Sequence, residues 1–297
     1  RAFAAANDGA VVLWHPLEST TPVFFNPIGV RFRSGSLTVV ALDGDKALCG
    51  QTDGSVALLD LHTEQVLQTV AGPGSVTSLV FRSSSMQMAR GARGGVLDVW
   101  NLMSGVCTDH LKGHADTIEH IDVSWADGLL ASASRDGSVL VWRLGQGGAA
   151  YASLQAHGSG VSSLAVDWMH NRVLTASPDE TVKLFDLETG AHLWTLDGHT
   201  EPARLHSVDW KGMRAISTSD DSWVRVWDLQ SRECIWRYKE PAAAKILTVH
   251  VKWSTMQALA VLADGTTVLW DLRGSGDSAA TPATLALGRS VAAAALL

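Results

Sequence analysis

A segment of near-constant length recurs along the whole chain, and this recurrence restricts the fold more than any other feature. Seven stretches end at Leu13-Trp14, Leu58-Leu59, Val99-Trp100, Val141-Trp142, Leu184-Phe185, Val226-Trp227 and Leu269-Trp270, with successive ends 45, 41, 42, 43, 42 and 43 residues apart. Six residues before each end stands an aspartate (Asp8, Asp53, Asp136, Asp179, Asp221, Asp264) or, once, Gly94. Glycine follows in five units, and Glu180 and Ser222 follow in the other two. Asp-Gly between two apolar runs predicts a tight hairpin with a two-residue loop, because Gly and Asp tolerate the positive φ that such a loop demands. Beyond the turn, apolar residues alternate (Val139 and Val141, Val182 and Leu184, Val224 and Val226), which is the period of a strand. Another apolar run precedes each hairpin (76–81, 118–123, 161–166, 205–210, 246–251) and a further one follows it (106–111, 192–196, 234–238). Four short strands in a unit of this length, repeated seven times, predict a β-propeller.

Gly113-His114 with Trp142, Gly198-His199 with Trp227-Asp228, and the ends Phe185-Asp186 and Trp270-Asp271 carry a family signature. On these residues the units resemble WD40 repeats over essentially the entire chain. The resemblance implies an all-β, seven-bladed WD40-type β-propeller with four antiparallel strands per blade, forming a single domain over 1–297. Blade 1 comprises 1–30 plus 289–297, and blades 2 to 7 comprise 31–72, 73–114, 115–157, 158–199, 200–241 and 242–288. In four units the inner strand starts 24 residues before the end position, so that of the first unit would fall before Arg1. Gly288-Arg289 followed by 290–297 reads as a further inner strand, and we expect it to complete the first blade.

The resemblance also implies a buried hydrogen-bonded tetrad inside a blade. Its members are His114, Ser132 or Ser134, Asp136 and Trp142 in one unit, and His199, Ser217 or Ser219, Asp221 and Trp227 in another. Of the alternatives, Ser134 and Ser219 are taken as the hydroxyls. A recurring Ser, His and Asp set suits structural duty better than a single active site, so no catalytic residue and no enzyme activity is expected. Units two and three, with Leu59 and Gly94, should lack the tetrad.

Composition narrows the partners. The formal charge is −7 and no Lys/Arg run exists, which argues against direct nucleic-acid binding. Cys49, Cys107 and Cys234 stand far apart without a C-x-x-C pair, and the 11 histidines form no metal-ligand motif, so no metal and no cofactor is expected. No apolar run approaches the roughly 20 residues of a membrane span, so no membrane insertion is predicted. No carboxylates or metal ligands are read as converging on the channel axis, so no small-molecule substrate is predicted, and an intracellular place is expected, cytoplasmic first, with nuclear or organellar as alternatives. Five of the 12 tryptophans (Trp14, Trp100, Trp142, Trp227, Trp270) are one strand position counted repeatedly. Most others should pack between blades. Trp223 opens a strand where sister units have Ser138, Thr181 or Thr266, which suggests a partly exposed indole available to a partner.

By resemblance, the residues before each turn aspartate and before each inner strand line the channel entrance. Arg93, Arg135, Arg204 and Lys245 then form a basic mouth on an acidic protein. The function expected is a non-catalytic scaffold for protein-protein interactions within a larger complex, gripping an acidic or phosphorylated segment there, since guanidinium pairs bidentately with carboxylate and phosphate. The alternative is a substrate receptor of a cullin-RING ubiquitin ligase, docking through Trp270-Asp271-Leu272-Arg273.

Overall fold

Wherever the chain is described, period-two alternation becomes β-strand. The computed structural model describes residues 2–6, 11–14, 23–25, 37–63, 65–239, 245–264, 266–273, 283–286 and 291–296, with side chains described only between 37 and 273. The turn expected at Asp8-Gly9, and the Gly288-Arg289 pair expected to precede a further inner strand, lie outside these residues. The chain divides into two compact units, Arg1–Ser153 with Val291–Leu297, and Leu154–Ser290.

In the first unit the strands run in groups: β1 (Ala2–Ala6), β2 (Val11–Trp14) and β3 (Val23–Phe25); β4 (Leu37–Asp43), β5 (Lys46–Gln51), β6 (Val56–Asp60) and β7 (Gln65–Val70); β8 (Val76–Arg82), β9 (Gln87–Ala92), β10 (Leu97–Asn101) and β11 (Val106–Leu111); β12 (Ile118–Ser124), β13 (Leu129–Ser134), β14 (Ser138–Arg143) and β15 (Ala150–Gln155), the last crossing the unit boundary. The second unit holds β16 (Ser163–Asp167), β17 (Arg172–Ala176), β18 (Val182–Asp186) and β19 (His192–Leu196); β20 (Ala203–Asp209), β21 (Arg214–Ser219), β22 (Trp223–Asp228) and β23 (Glu233–Lys239); β24 (Ile246–Lys252), β25 (Gln257–Leu262), β26 (Thr266–Asp271) and β27 (Ala283–Ala286). Neighbours within a group pair antiparallel in chain order, and β28 (Val291–Leu296) pairs with β1 from Ala2↔Leu296 to Ala6↔Val291. Each group is thus a four-stranded antiparallel blade of an all-β propeller.

The hairpin loop differs from the two-residue form. Gln51 N–H donates to Ser55 O at 2.9 Å and Ser177 N–H to Thr181 O at 3.2 Å, leaving three residues in each loop. The third is left-handed: φ is 86° at Gly54, 87° at Gly137, 71° at Glu180 and 66° at Ser222. A turn followed by one left-handed residue matches strand twist as a primed two-residue turn does, and needs positive φ once only. The middle aspartate stabilises the loop by accepting the N–H two residues on, as Asp53 does from Ser55, Asp136 from Ser138 and Asp179 from Thr181.

Apolar residues gather between successive sheets. Val224, Val226 and Trp236 pack with Val249, Ala260 and Trp270, and Leu97, Val99 and Leu111 with Ile118, Ile121 and Trp142. Within each unit these sheets are therefore buried against one another.

Candidate partner-binding site

The His–Asp sets are internal struts. Trp142 Nε1–H donates to Ser132 Oγ at 2.9 Å, Ser132 lies 2.8 Å from His114 Nε2, and His114 Nδ1 lies 3.1 Å from Asp136 Oδ2. Trp227, Ser217, His199 and Asp221 repeat the chain at 2.8, 2.8 and 3.2 Å. The hydroxyls are therefore Ser132 and Ser217, which corrects Ser134 and Ser219. Ser134 and Ser219 close their strands, where their hydroxyls donate to Asp116 O at 3.1 Å and Glu201 O at 2.8 Å. Ser132 and Ser217 sit two residues earlier, facing the indole. A third set was missed: His157 bonds Asp179 at 2.8 Å and Thr175 at 2.9 Å, with the Phe185 ring edge-on to it where the other sets carry tryptophan. His157, one repeat from His114 and His199, was the available signal. In the sheet with Gly94, Arg90 replaces the hydroxyl and pairs with Asp98 in the core.

Burial lowers the pKa of His114, His157 and His199 despite their aspartates, so the imidazoles are neutral. Burial would raise Asp136, but hydrogen bonds from the Ser138 hydroxyl, the Ser138 N–H and the Ala115 N–H hold it at about 2. Asp179 is held at about 2 in the same way by Thr181 and His157 against its burial. No hydroxyl here is presented to solvent as a nucleophile.

The four basic residues are not equivalent. Arg93 and Arg135 belong to the first unit, Arg204 and Lys245 to the second. All are exposed, yet Arg135 Nε is engaged by Glu119 Oε1 and Lys245 Nζ lies 3.5 Å from Asp220. Arg204 is also misplaced by the sequence reading. It lies inside β20, opposite Thr218, and Pro202 precedes that strand instead. Ala203 is too small to announce the strand, so the apolar run reads from Leu205; the 24-residue spacing to Trp227 was the signal that points to Ala203.

Arg204 and Lys245 nevertheless meet. They line a cavity of about 270 Å³ together with Thr218, Ser219, Asp220 and Ser222. Ser219 gives its hydroxyl hydrogen to Glu201 O and Thr218 bonds His206 at 2.7 Å, so the two cations, set against the one carboxylate of Asp220, and the Ser222 hydroxyl are the groups that could bond an anion's oxygens there. Trp223 is half-buried as expected, with Arg237 at 5.6 Å and Arg225 and Lys239 at 5.8 Å from its ring centroid. Its indole is thus largely engaged by its own sheet. Arg273 forks onto Asp271, and Asp271 also accepts the Arg273 N–H at 3.0 Å, a turn-closing role that Asp60, Asp186 and Asp228 repeat elsewhere. Nothing in that geometry favours a ligase-docking box over a surface turn.

The family described as WD domain, G-beta repeat, matches residues 105–143, 148–186 and 190–228. These three stretches match the WD40 repeat. Relatives of this chain include the DENN domain and WD repeat-containing protein SCD1 of Arabidopsis thaliana, 28% identical over 51% of this chain and 13% of that protein. Pre-mRNA-processing factor 19 of Mus musculus is 24% identical over 56% of this chain and 34% of that protein. The chain thus spans only a minor part of these relatives' length. Among solved structures, that of the computationally designed Ika8 protein superposes with a TM-score of 0.78 at 24% identity, covering 98% of this chain and 86% of that one, a likeness of fold alone. No helix among the described residues is long and apolar enough to cross a membrane.

Proposed function

We propose that this WD40 chain is a non-catalytic scaffold, one propeller of seven blades over 1–297, that grips an acidic or phosphorylated segment of a partner protein. The observation that carries the reading is the cavity that Arg204 and Lys245 line together with Ser222. Arg204 is the strongest anchor: it is exposed, and no carboxylate pairs with it among the described residues. Lys245 can exchange Asp220 for a ligand anion, because the pair is solvent-exposed and contributes little. One relative's name sets WD repeats beside a DENN domain and another's is that of a pre-mRNA-processing factor, a variety that suits a binding platform whose loops set the specificity. Neither Arg135, tied to Glu119, nor Arg93 of the other unit is required.

The test is fluorescence anisotropy with two labelled ten-residue peptides, one rich in glutamate and one carrying phosphoserine. Arg204→Glu combined with Lys245→Glu should weaken binding by about tenfold or more, since like charges now face the ligand, and leave the melting temperature unchanged. Peptide affinity indifferent to the double reversal would refute the pocket.

A further inference from the structure

We propose that Asp98, Cys107 and His110 bind one divalent cation of the zinc class on β10 and β11. The register assembles them. Asp98 faces His110 across the ladder and Trp100 faces Cys107, with a shift between Val99 and Trp100 that leaves Thr108 unpaired. Asp98 and Trp100, two residues apart on one strand, share a face, so their partners share it too. Without the bulge Cys107 and His110, three residues apart, would point to opposite faces.

The donor atoms converge. His110 Nδ1 lies 2.8 Å from Asp98 Oδ1 and 3.5 Å from Cys107 Sγ, and all three donor atoms fall within 4.8 Å of one another. Both short contacts end on the same ring nitrogen. A Cys-His-Asp relay needs thiol and carboxylate on opposite nitrogens, so this set is not a nucleophile and its base. A common centre fits better, because metal–ligand bonds of about 2.0–2.3 Å at tetrahedral angles separate donors by about 3.3–3.8 Å. Opening the Asp98–His110 contact by a few tenths of an ångström, once its shared hydrogen leaves, meets that range.

The surroundings orient the carboxylate. Arg90, almost fully buried, holds Asp98 Oδ2 and donates to Gly54 O at 2.7 Å, so Oδ1 is the oxygen turned to His110. Outer partners of this kind fix a ligand's geometry. His110 is exposed and Cys107 half-buried, so solvent can reach the donors and supply a fourth ligand. On binding, Cys107 gives its thiol proton to solvent, and the hydrogen that His110 Nδ1 shares with Asp98 passes by exchange with solvent to Nε2, which frees the Nδ1 lone pair for the metal. One thiolate, one imidazole and one carboxylate favour zinc or cobalt over calcium or magnesium. The fold does not require the trio: the matching positions hold Ala57, Val66 and Thr69 in one sheet, Lys183, His192 and Thr195 in another, and Arg225, Cys234 and Arg237 in a third.

The experiment is calorimetric titration of the full chain with zinc chloride, paired with cobalt chloride absorbance. One equivalent should bind, and cobalt should show a thiolate-to-metal band. Cys107→Ser should remove the band, and both Cys107→Ser and His110→Ala should weaken zinc binding by about tenfold or more. Cys234→Ser should leave both readouts intact, and circular dichroism should show all three variants folded, since each replaced side chain is at least partly exposed. No cobalt–thiolate band, or zinc affinity that Cys107→Ser and His110→Ala leave unchanged, would overturn the proposal.

Discussion

At the residue scale, three neutral histidines tie stability to pH. Burial depresses the pKa of His114, His157 and His199 in the folded chain, while the unfolded chain titrates near the ordinary value of 6.5. Below 6.5 the unfolded state takes up protons that the folded state refuses, so the stabilisation is complete above that pH and lost as pH falls. Asp136 and Asp179, at about 2 rather than 3.8, add a second loss on further acidification. Thermal melts should therefore fall in two steps, the first beginning near pH 6.5 and the second below about pH 4. His157→Gln, which keeps a hydrogen-bonding group but cannot titrate, should shallow the first step; a melting temperature flat from pH 7 to 5 would contradict the account. The aspartates and histidines were legible because they recur at fixed offsets. The choice between Ser132 and Ser134 was not, because both lie on the same face of β13 and only their distance from the indole separates them.

At the element scale, β5 and β9 each lie so close to the next sheet that one position on the strand must stay small. A Cβ on Gly91 of β9 would stand 2.7 Å from Ile118 Cγ2 of β12, and one on Gly50 of β5 would stand 2.7 Å from Val76 Cγ1 of β8. Neither backbone has the positive φ that requires glycine, so the constraint is steric alone. Gly91→Ala should cost about 1–3 kcal/mol as β12 is pushed aside, measured by chemical denaturation; a neutral or stabilising result would show that the sheets can separate freely. Strand existence and order were readable from the repeat, but sheet spacing was not, since it depends on a neighbour some 27 residues further along the chain. The turn between the first two strands of a group was equally hidden. Met86, Met213 and Met256 are left-handed there at φ 51° to 54°, and their side chains pack against apolar clusters, which offsets backbone strain that the residue type would not suggest.

At the scale of the whole molecule, the strand furthest along the chain belongs to the first sheet. β28 pairs with β1 along its length and also packs on β4, so it joins the first sheet to the second. The fixed 24-residue spacing between inner strand and repeat end made this pairing legible, because a first sheet of β1, β2 and β3 alone would leave an edge that invites aggregation. Removing 291–297 strips β1 of its partner and β4 of its neighbour together. The loss should be several kcal/mol, a large part of the roughly 5–15 kcal/mol that separates a folded domain from its unfolded chain. The truncated chain should melt far below the parent and elute as aggregate in size-exclusion chromatography. A synthetic peptide of residues 291–297 added in excess should restore part of the melting temperature, since binding to the folded state stabilises it by mass action. Rescue by the peptide, but not by a scrambled one of the same composition, would assign the loss to strand pairing at β1; a truncation that shifts the melt by less than about 2 °C, worth under about 1 kcal/mol, would remove β28 from the structural framework.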